Sequence, residues 1–246
     1  MISVITPVHN SAYVERAIES VVRQSYPDWE MIIVDDCSTD DSVERIEAAI
    51  EGEPRIRLLR LQSNVGAAEA RNYALRRAAG RYIAFLDSDD MWTRDKLRKQ
   101  IAFMNERECG FSFGNYIMIS ENGERHLAEV KVPASIGYRG LLGNTIIGTL
   151  TVMIDRQKTG PVEMPNIRTS HDLALWLSML KKGIRAYGVG ETLGFYRVIS
   201  SSNTANKLKA AMDVWNVYRS VERLSVLRSG MYFVSYAFNA ARKRML

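Results

Sequence analysis

The sequence has few of the residues that build disulfide-bonded or zinc-binding proteins. It contains two cysteines, Cys37 and Cys109, and three histidines among 246 residues. Two isolated cysteines provide neither a disulfide framework nor the spacing of zinc ligands. This scarcity excludes small disulfide-rich folds and zinc fingers, and it is typical of a protein in the reducing cytoplasm.

The sequence also lacks long hydrophobic runs. No uncharged apolar segment approaches the ~20 residues that a membrane-spanning helix needs. The first residues, 1–5, enter a strand pattern directly, without the basic region and apolar stretch of a signal peptide. We therefore expect a cytoplasmic protein without a spanning helix.

The net charge of +5 is concentrated at the C-terminal end. Residues 197–246 contain nine lysines and arginines and two acidic residues, whereas the rest of the chain is slightly acidic. A local basic segment argues against a general nucleic-acid-binding protein and favours a local anionic partner. We expect the C-terminus to contact the inner face of the plasma membrane peripherally. The alternative is a helix that packs on the rest of the protein and has a solvated basic end.

Strand and helix patterns alternate through the first 90 residues. Apolar runs predict strands at residues 3–8, 30–34, 55–61 and 82–86, with helical segments between them. This order predicts an α/β fold with a mostly parallel, Rossmann-like sheet and right-handed crossovers. The sequence has no G-x-G-x-x-G motif, which weighs against a dinucleotide ligand.

The second half of the chain has a less regular pattern. A strand and a turn at residues 121–124 suggest a hairpin. Further strands are predicted at 149–154, 186–189 and 194–198, a helix at 172–180, and two C-terminal helices, 207–227 and 231–244, separated by Ser229-Gly230. We expect a catalytic domain over residues 1–205, in halves 1–92 and 93–205, with a C-terminal helical extension over 206–246.

Carboxylates directly follow two of the predicted strands. Asp35 and Asp36 follow the second strand, and Asp87, Asp89 and Asp90 follow the fourth. Ligands of open α/β sheets bind at the carboxyl ends of the strands. Crowded carboxylates raise one another's pKa unless a cation lies between them, and Mg²⁺ or Mn²⁺ prefers oxygen ligands. The fourth strand end is therefore a candidate metal–diphosphate site; the alternative is a polar turn with a helix cap.

Several segments, taken together and in order, resemble family 2 glycosyltransferases with the GT-A fold. They are residues 4–10, 33–40, 64–72, 80–90, 171–177 and 195–197. Residues 207–244 look like the smaller group of these enzymes that build bacterial surface polysaccharides. The resemblance implies an inverting, metal-dependent enzyme. It would move a sugar from a nucleoside diphosphate sugar, expected to be a UDP-sugar, to a hydroxyl of a glycan or lipid-linked acceptor.

The resemblance also implies which residues hold the donor. Pro7 and Asn10 are expected beside it, Pro7 through backbone contacts near the base. Asp36 would accept a hydrogen bond from the base, with helix capping as its alternative role. Arg71 is expected near the nucleotide or its phosphates, or else in a surface ion pair. Arg197 would pair with phosphate, unless it is an arginine at the edge of the core.

The same resemblance assigns the metal and the chemistry. Asp87 would hydrogen-bond the ribose, directly or through the metal shell, with Ser88 beside the donor. Asp89 would bind Mn²⁺ or Mg²⁺, and Asp90 is expected to cap the next helix. Asp172 is the candidate general base that takes the proton of the acceptor hydroxyl. Its alternative role is the N-cap of the helix that follows.

The sequence departs from the family pattern at two positions. Ile199 stands where many relatives have a histidine near the metal or diphosphate, which puts a third metal ligand in doubt. His171 stands where the family often has an acidic residue. We expect a capping or solvated histidine there.

Two other functions are compatible with parts of the sequence. Residues 34–36 also resemble the acidic pocket of a signalling receiver domain, although such domains are about half as long and need a later lysine that we cannot place. A non-catalytic nucleotide-sugar-binding subunit of a larger synthase would keep Asp36 and Asp89 but would need no base.

Overall fold

The structure is a computed structural model that describes residues 1–167, 169–199 and 207–242. The strands are β1 (Ile2–Val8), β2 (Trp29–Asp35), β3 (Ile56–Arg60), β4 (Tyr82–Phe85), β5 (Met91–Trp92), β6 (Phe111–Ile119), β7 (His126–Val130), β8 (Ser135–Ile136), β9 (Met153–Asp155) and β10 (Ala186–Arg197). The helices are α1 (Val14–Val22), α2 (Ser42–Ile50), α3 (Ala67–Leu75), α4 (Lys96–Glu106), α5 (Tyr138–Gly143), α6 (Arg156–Thr159), α7 (His171–Lys181), α8 (Lys207–Asn216) and α9 (Val226–Arg242).

The strands form one mixed sheet in the order β3-β2-β1-β4-β9-β6-β10-β5, with β7 paired to β6 and β8 to β10. The first four strands of the chain are parallel. Strand β9 is antiparallel to both β4 and β6, and β10 is parallel to β6. The predicted α/β class and the parallel nucleotide-binding half are confirmed. The sheet is continuous across residue 92, and the proposed division into halves stays a prediction.

Helices cover both faces of the sheet, which explains why every residue of β1 and β4 is buried. Successive side chains of β1 point to opposite faces, so that Val4 packs in one layer and Ile5 in the other. The first layer buries Ile18 of α1 and Leu97 of α4, and the second buries Trp176 of α7. A sheet buried on both faces leaves ligand access to the strand ends.

Two strands in the second half differ from the sequence prediction. The segments 186–189 and 194–198 belong to one strand, β10, because it continues through register irregularities between Gly188 and Gly194. Gly190 has a φ of +77°, a backbone conformation that glycine adopts without strain. The predicted strand 149–154 starts with a 3₁₀ turn at Thr149–Thr151, and β9 follows it. The predicted β6–β7 hairpin is confirmed.

The break between the C-terminal helices was predicted at the wrong place. Ser229 and Gly230 lie inside α9, and the Ser229 side chain is buried. The chain instead leaves the helix after a π-helical turn, Val217–Val221, and Arg223 has a φ of +53°. Burial of Ser229 against the protein allows α9 to continue through the weak helix formers. Among the described residues, no helix has the length and apolar content needed to cross a bilayer.

Candidate active site

A cleft of about 520 Å³ lies at the carboxyl ends of β1, β2 and β4. We call it the strand-end cleft. Its lining includes Pro7, Asp36, Arg71, Asp87, Ser88 and Asp89. Parallel strands place their carboxyl ends at one edge of the sheet, so residues as far apart in sequence as Pro7 and Asp89 meet there.

Asp36 anchors the loop that opens α3. Its two carboxylate oxygens accept hydrogen bonds from the backbone N–H groups of Val65 (2.7 Å) and Gly66 (2.8 Å). Gly66 has a φ of +87°, which a residue with a side chain rarely adopts. Each carboxylate oxygen has a second lone pair, so the buried Asp36 carboxylate retains the capacity to accept a bond from a ligand. Its role includes fixing the cleft wall.

Two neighbours of Asp36 hold the adjoining loop instead of facing the cleft. The Asp35 carboxylate accepts a hydrogen bond from the Ser38 backbone N–H at 3.2 Å, which is a local cap. The Asn10 side-chain oxygen accepts from the Thr39 N–H at 2.8 Å, and the Asn10 N–H donates to the Ser38 hydroxyl at 3.0 Å. Asn10 therefore connects the β1 and β2 loops, and it lines a smaller lobe next to the strand-end cleft.

Arg71 is a buried arginine that links two parts of the site. Its guanidinium forms an ion pair with Asp87, and its Nη1 donates to Nε2 of His171 at 2.6 Å. Burial, and then the charge of Arg71, lowers the pKa of His171, so the imidazole is neutral and accepts this bond. The surface ion pair considered for Arg71 is therefore wrong. His171 is not the N-cap, and its half-buried side chain contacts Arg71.

Asp89 is the carboxylate of the cleft that most needs a cation. Burial, and next the charge of Asp87, raises its pKa to about 6. Asp87 has Arg71 as its partner, whereas the ion pairs among the described residues include none with Asp89. No group of three His, Cys, Asp or Glu side chains in the described ranges could hold a metal ion. Asp87 and Asp89 could supply two carboxylate ligands to a divalent cation, and a diphosphate and water would have to supply the others.

Asp90 and Arg197 are buried and hydrogen-bonded to each other next to the cleft. The Arg197 backbone N–H donates to the Asp90 carboxylate at 2.8 Å. The Arg197 guanidinium donates to the carbonyl oxygens of Asp89 (2.8 Å) and Glu121 (2.7 Å) and lies over the Tyr13 ring. The expected helix-capping role of Asp90 is wrong, because α4 begins only at Lys96 and the Asp90 carboxylate is taken up by β10. Burial raises the pKa of Asp90 well above its ordinary value.

Asp172 lies in a second cavity, of about 280 Å³, which we call the helix cavity. Its wall includes Leu141 of α5, Trp176 of α7, Val214 of α8 and Tyr236 of α9. The Thr149 hydroxyl donates to the Asp172 carboxylate at 2.9 Å. The helix begins at His171 and its N-cap position is Ser170, so Asp172 is not the N-cap. Since His171 contacts Arg71, the two cavities are neighbours.

Comparison with known proteins identifies the family. The family described as "Glycosyl transferase family 2" matches residues 3–157. Over 246 residues the chain is 52% identical to TuaG of Bacillus subtilis, named as a teichuronic acid biosynthesis glycosyltransferase, a match that covers 100% of this chain and 98% of that protein. The chain belongs to glycosyl transferase family 2.

A second relative and two solved structures are also similar to this family 2 glycosyltransferase. WfgD of Escherichia coli, named as a UDP-Glc:α-D-GlcNAc-diphosphoundecaprenol β-1,3-glucosyltransferase, is 39% identical over 219 residues, which cover 88% of this chain and 85% of that protein. Staphylococcus aureus TarS in complex with UDP-GlcNAc has a TM-score of 0.71 at 18% identity, over 96% of this chain and 71% of that chain.

The mannosyltransferase PcManGT from Pyrobaculum calidifontis, in complex with GDP-Man and Mn²⁺, also has a TM-score of 0.71, at 19% identity over 98% of this chain and 73% of that chain. At such identities the likeness concerns the fold alone, and the expected GT-A fold is confirmed. A receiver domain is excluded, and the protein is an enzyme.

The glycosyltransferase brings most of the expected donor residues to one cleft. Pro7, Asp36, Arg71, Ser88 and both expected metal ligands line it. Ile199 lines it as well, so the position at which the family pattern led us to look for a histidine reaches the site. Arg197 lies outside this lining. The roles of all these residues stay predictions.

Sequence reasoning missed the partners of the predicted residues. Thr149 and His171 contact Asp172 and Arg71 across 23 and 100 positions of sequence. A polar residue in an apolar segment was the available signal for Thr149. No local pattern pointed to the pairing of His171 with Arg71.

Proposed function

We propose that this glycosyltransferase moves a sugar from a nucleoside diphosphate sugar, best supported as a UDP-sugar, to a hydroxyl of a lipid-linked glycan in cell-surface polysaccharide biosynthesis.

 The donor base that the relatives support best is uracil, since the name of WfgD specifies UDP-Glc. The observation that carries the proposal is the strand-end cleft itself, in which Asp36, Arg71, Asp87 and Asp89 meet.

In this proposal each cleft residue binds a different part of the donor. Asp36 accepts a ring N–H of the base on a lone pair that its hydrogen bonds to Val65 and Gly66 leave available. Asp87 is held by Arg71 and faces the ribose, while the Arg71 guanidinium offers positive charge to the phosphates. Asp87 and Asp89 would hold Mn²⁺ or Mg²⁺, and the cation would supply Lewis-acid stabilisation of the leaving diphosphate.

Asp172 acts as the base in an inverting displacement. The acceptor oxygen attacks the anomeric carbon, the bond from that carbon to the diphosphate oxygen breaks, and the hydroxyl proton passes to the Asp172 carboxylate. Thr149 fixes one oxygen of this carboxylate and leaves the other for the acceptor.

The acceptor class comes from the relatives. The name of WfgD specifies a diphosphoundecaprenol-linked acceptor, and that of TuaG specifies teichuronic acid biosynthesis. A lipid-linked acceptor resides in a bilayer, so in this proposal the transfer takes place at the inner face of the plasma membrane. A non-catalytic subunit would bind the donor equally well, but the family and the base next to the cleft favour catalysis.

Thermal unfolding with UDP, GDP, CDP and dTDP, each with and without Mn²⁺, tests the donor site. A nucleotide at about 100 times its Kd adds roughly 2.7 kcal/mol to the free energy of unfolding. We expect UDP to stabilise the protein only when Mn²⁺ is present, and Asp89→Asn to abolish this stabilisation. The exposed Asp40→Asn is the control that retains it. Stabilisation by none of the four nucleotides, with or without metal, would contradict the proposal.

A further inference from the structure

Exposed apolar side chains are concentrated in the last two helices. Of the eleven large hydrophobic residues that are exposed in the described part of the chain, seven lie in residues 208–238. Four of them, Leu227, Met231, Val234 and Phe238, are 66–77% exposed. We call these four residues the α9 stripe.

The α9 stripe lies on one side of its helix. Its members are spaced at i, i+4, i+7 and i+11, which places them within a narrow arc of an α-helix. The other side of α9 is already used, because Tyr232, Phe233 and Tyr236 pack against the hydrophobic core. A helix with one packed apolar side and one exposed apolar side has a surface that its own fold does not cover.

The charge around the stripe has a single sign. After Glu222 the sequence contains no acidic residue, and it contains five basic ones, including Arg228 within α9 and Arg242 at its end. Arg223 and Arg228 are exposed. An apolar stripe flanked by arginines is the composition of helices that lie in the headgroup region of anionic bilayers.

We propose that the α9 stripe seats this glycosyltransferase on an anionic lipid bilayer. The link to catalysis rests on the proposed function, because only a lipid-linked acceptor needs this placement. Tyr236 of the same helix forms part of the wall of the helix cavity that contains Asp172. Docking through α9 therefore holds the cavity with the base close to the membrane surface from which the acceptor hydroxyl comes.

A second copy of the chain fits this surface less well. Pairing two stripes would bring the basic residues of both copies together without an acidic partner from α9, and like charges at an interface are unfavourable. Anionic headgroups neutralise the same arginines while the acyl region accepts the apolar side chains.

Co-sedimentation with vesicles tests the inference without using activity. The vesicles are phosphatidylcholine alone, or phosphatidylcholine with phosphatidylglycerol, at low and high salt. We expect wild type to sediment with the anionic vesicles at low salt, less at high salt, and little with the neutral ones. Replacing Met231, Val234 and Phe238 together by serine should lower the vesicle partition coefficient about tenfold or more. The matched control is Leu127→Ser on β7, which removes an exposed leucine elsewhere.

Two further measurements separate the outcomes. Stabilisation of the triple serine variant by UDP and Mn²⁺, as in wild type, shows that it is folded and that only the docking surface was changed. A wild-type protein that binds nucleotide but stays in the supernatant overturns the docking inference and leaves the proposed function standing. A dimer in light scattering that depends on the stripe, without vesicle binding, also overturns it and assigns the surface to a second copy.

Discussion

The hydroxyl of Thr149 donates a hydrogen bond to the carboxylate of Asp172, with 2.9 Å between the two oxygens. Thr149 lies in the 3₁₀ turn before β9, and Asp172 in the first turn of α7. The contact therefore joins the sheet to the helix that carries the proposed base, and it fixes the direction of the carboxylate.

Thr149→Val removes this donor while keeping the shape of the side chain. We expect kcat to fall about tenfold, since a general base must be oriented toward the proton that it removes. The KM for the donor should change little, because Thr149 does not line the strand-end cleft. Thr149→Ser is the matched control and should retain most of the activity. Equal kcat values for the valine and serine variants would contradict the orienting role.

Asp35 is a matched control for a test of Asp36 in the donor site. Both are buried and both accept backbone hydrogen bonds, but only Asp36 lines the cleft. Each change to asparagine should cost about 1–3 kcal/mol of unfolding free energy, because an amide replaces an acceptor oxygen. Only Asp36→Asn should also weaken nucleotide binding, measured by calorimetry at a temperature where both variants are folded. Unchanged affinity in Asp36→Asn would remove this residue from base recognition.

Asp89 should lower the stability of the ligand-free protein at neutral pH. Its pKa is raised from 3.8 to about 6 in the folded state. The stability gained from the protonated carboxyl is therefore complete below the unfolded pKa of 3.8, and it is lost as the pH rises through about 6 and the buried group becomes charged. Asp89→Asn should therefore increase the unfolding free energy by about 1–2 kcal/mol near pH 8 and by almost nothing near pH 4.

Denaturant unfolding at the two pH values, without metal or nucleotide, measures this difference. Glu51→Gln, a change at an exposed carboxylate, is the control and should shift stability by less than about 0.5 kcal/mol. A destabilised Asp89→Asn variant at the higher pH would mean that the folded protein satisfies this carboxylate by itself. The site would then have no need of a cation.

His171 should affect the KM for the donor sugar through its contact with Arg71. Its Nε2 accepts from the Arg71 guanidinium, and Arg71 in turn holds Asp87 in the cleft. His171→Phe leaves that donor without a partner, so we expect an increase in the KM for the donor sugar of about tenfold. His171→Gln keeps an acceptor and should be closer to wild type. If both variants raise KM equally, the histidine acts through its shape and not through this bond.

The parts of the site that could be predicted from sequence are those set by local pattern. Asp36, Asp87 and Asp89 follow apolar runs directly, and the parallel topology then brings strand ends together. Asp90 shows the limit of such reasoning. Its position suggested a helix cap, but its partner is the backbone of Arg197, 107 residues away, on a strand whose pairing the local sequence does not reveal.

The C-terminal helices show a second limit. Ser229-Gly230 is a weak helix-forming pair, and local propensity favoured a break there. Tertiary packing decides otherwise, because Ser229 is buried while Arg223 adopts the left-handed conformation that ends the preceding helical segment. The sequence also showed the apolar residues of α9 as one set. The structure separates Phe233 and Tyr236, which pack inward, from the exposed stripe.

The most direct test of the account is transfer of a labelled sugar from UDP-glucose or UDP-GlcNAc to a diphosphate-lipid-linked acceptor, with wild type and Asp172→Asn compared. We expect transfer by wild type in the presence of Mn²⁺ or Mg²⁺, and a loss of about a hundredfold or more in Asp172→Asn, which should still be stabilised by UDP. Unchanged turnover in Asp172→Asn would remove this residue from the mechanism. Nucleotide binding by wild type without any transfer would instead favour the non-catalytic subunit.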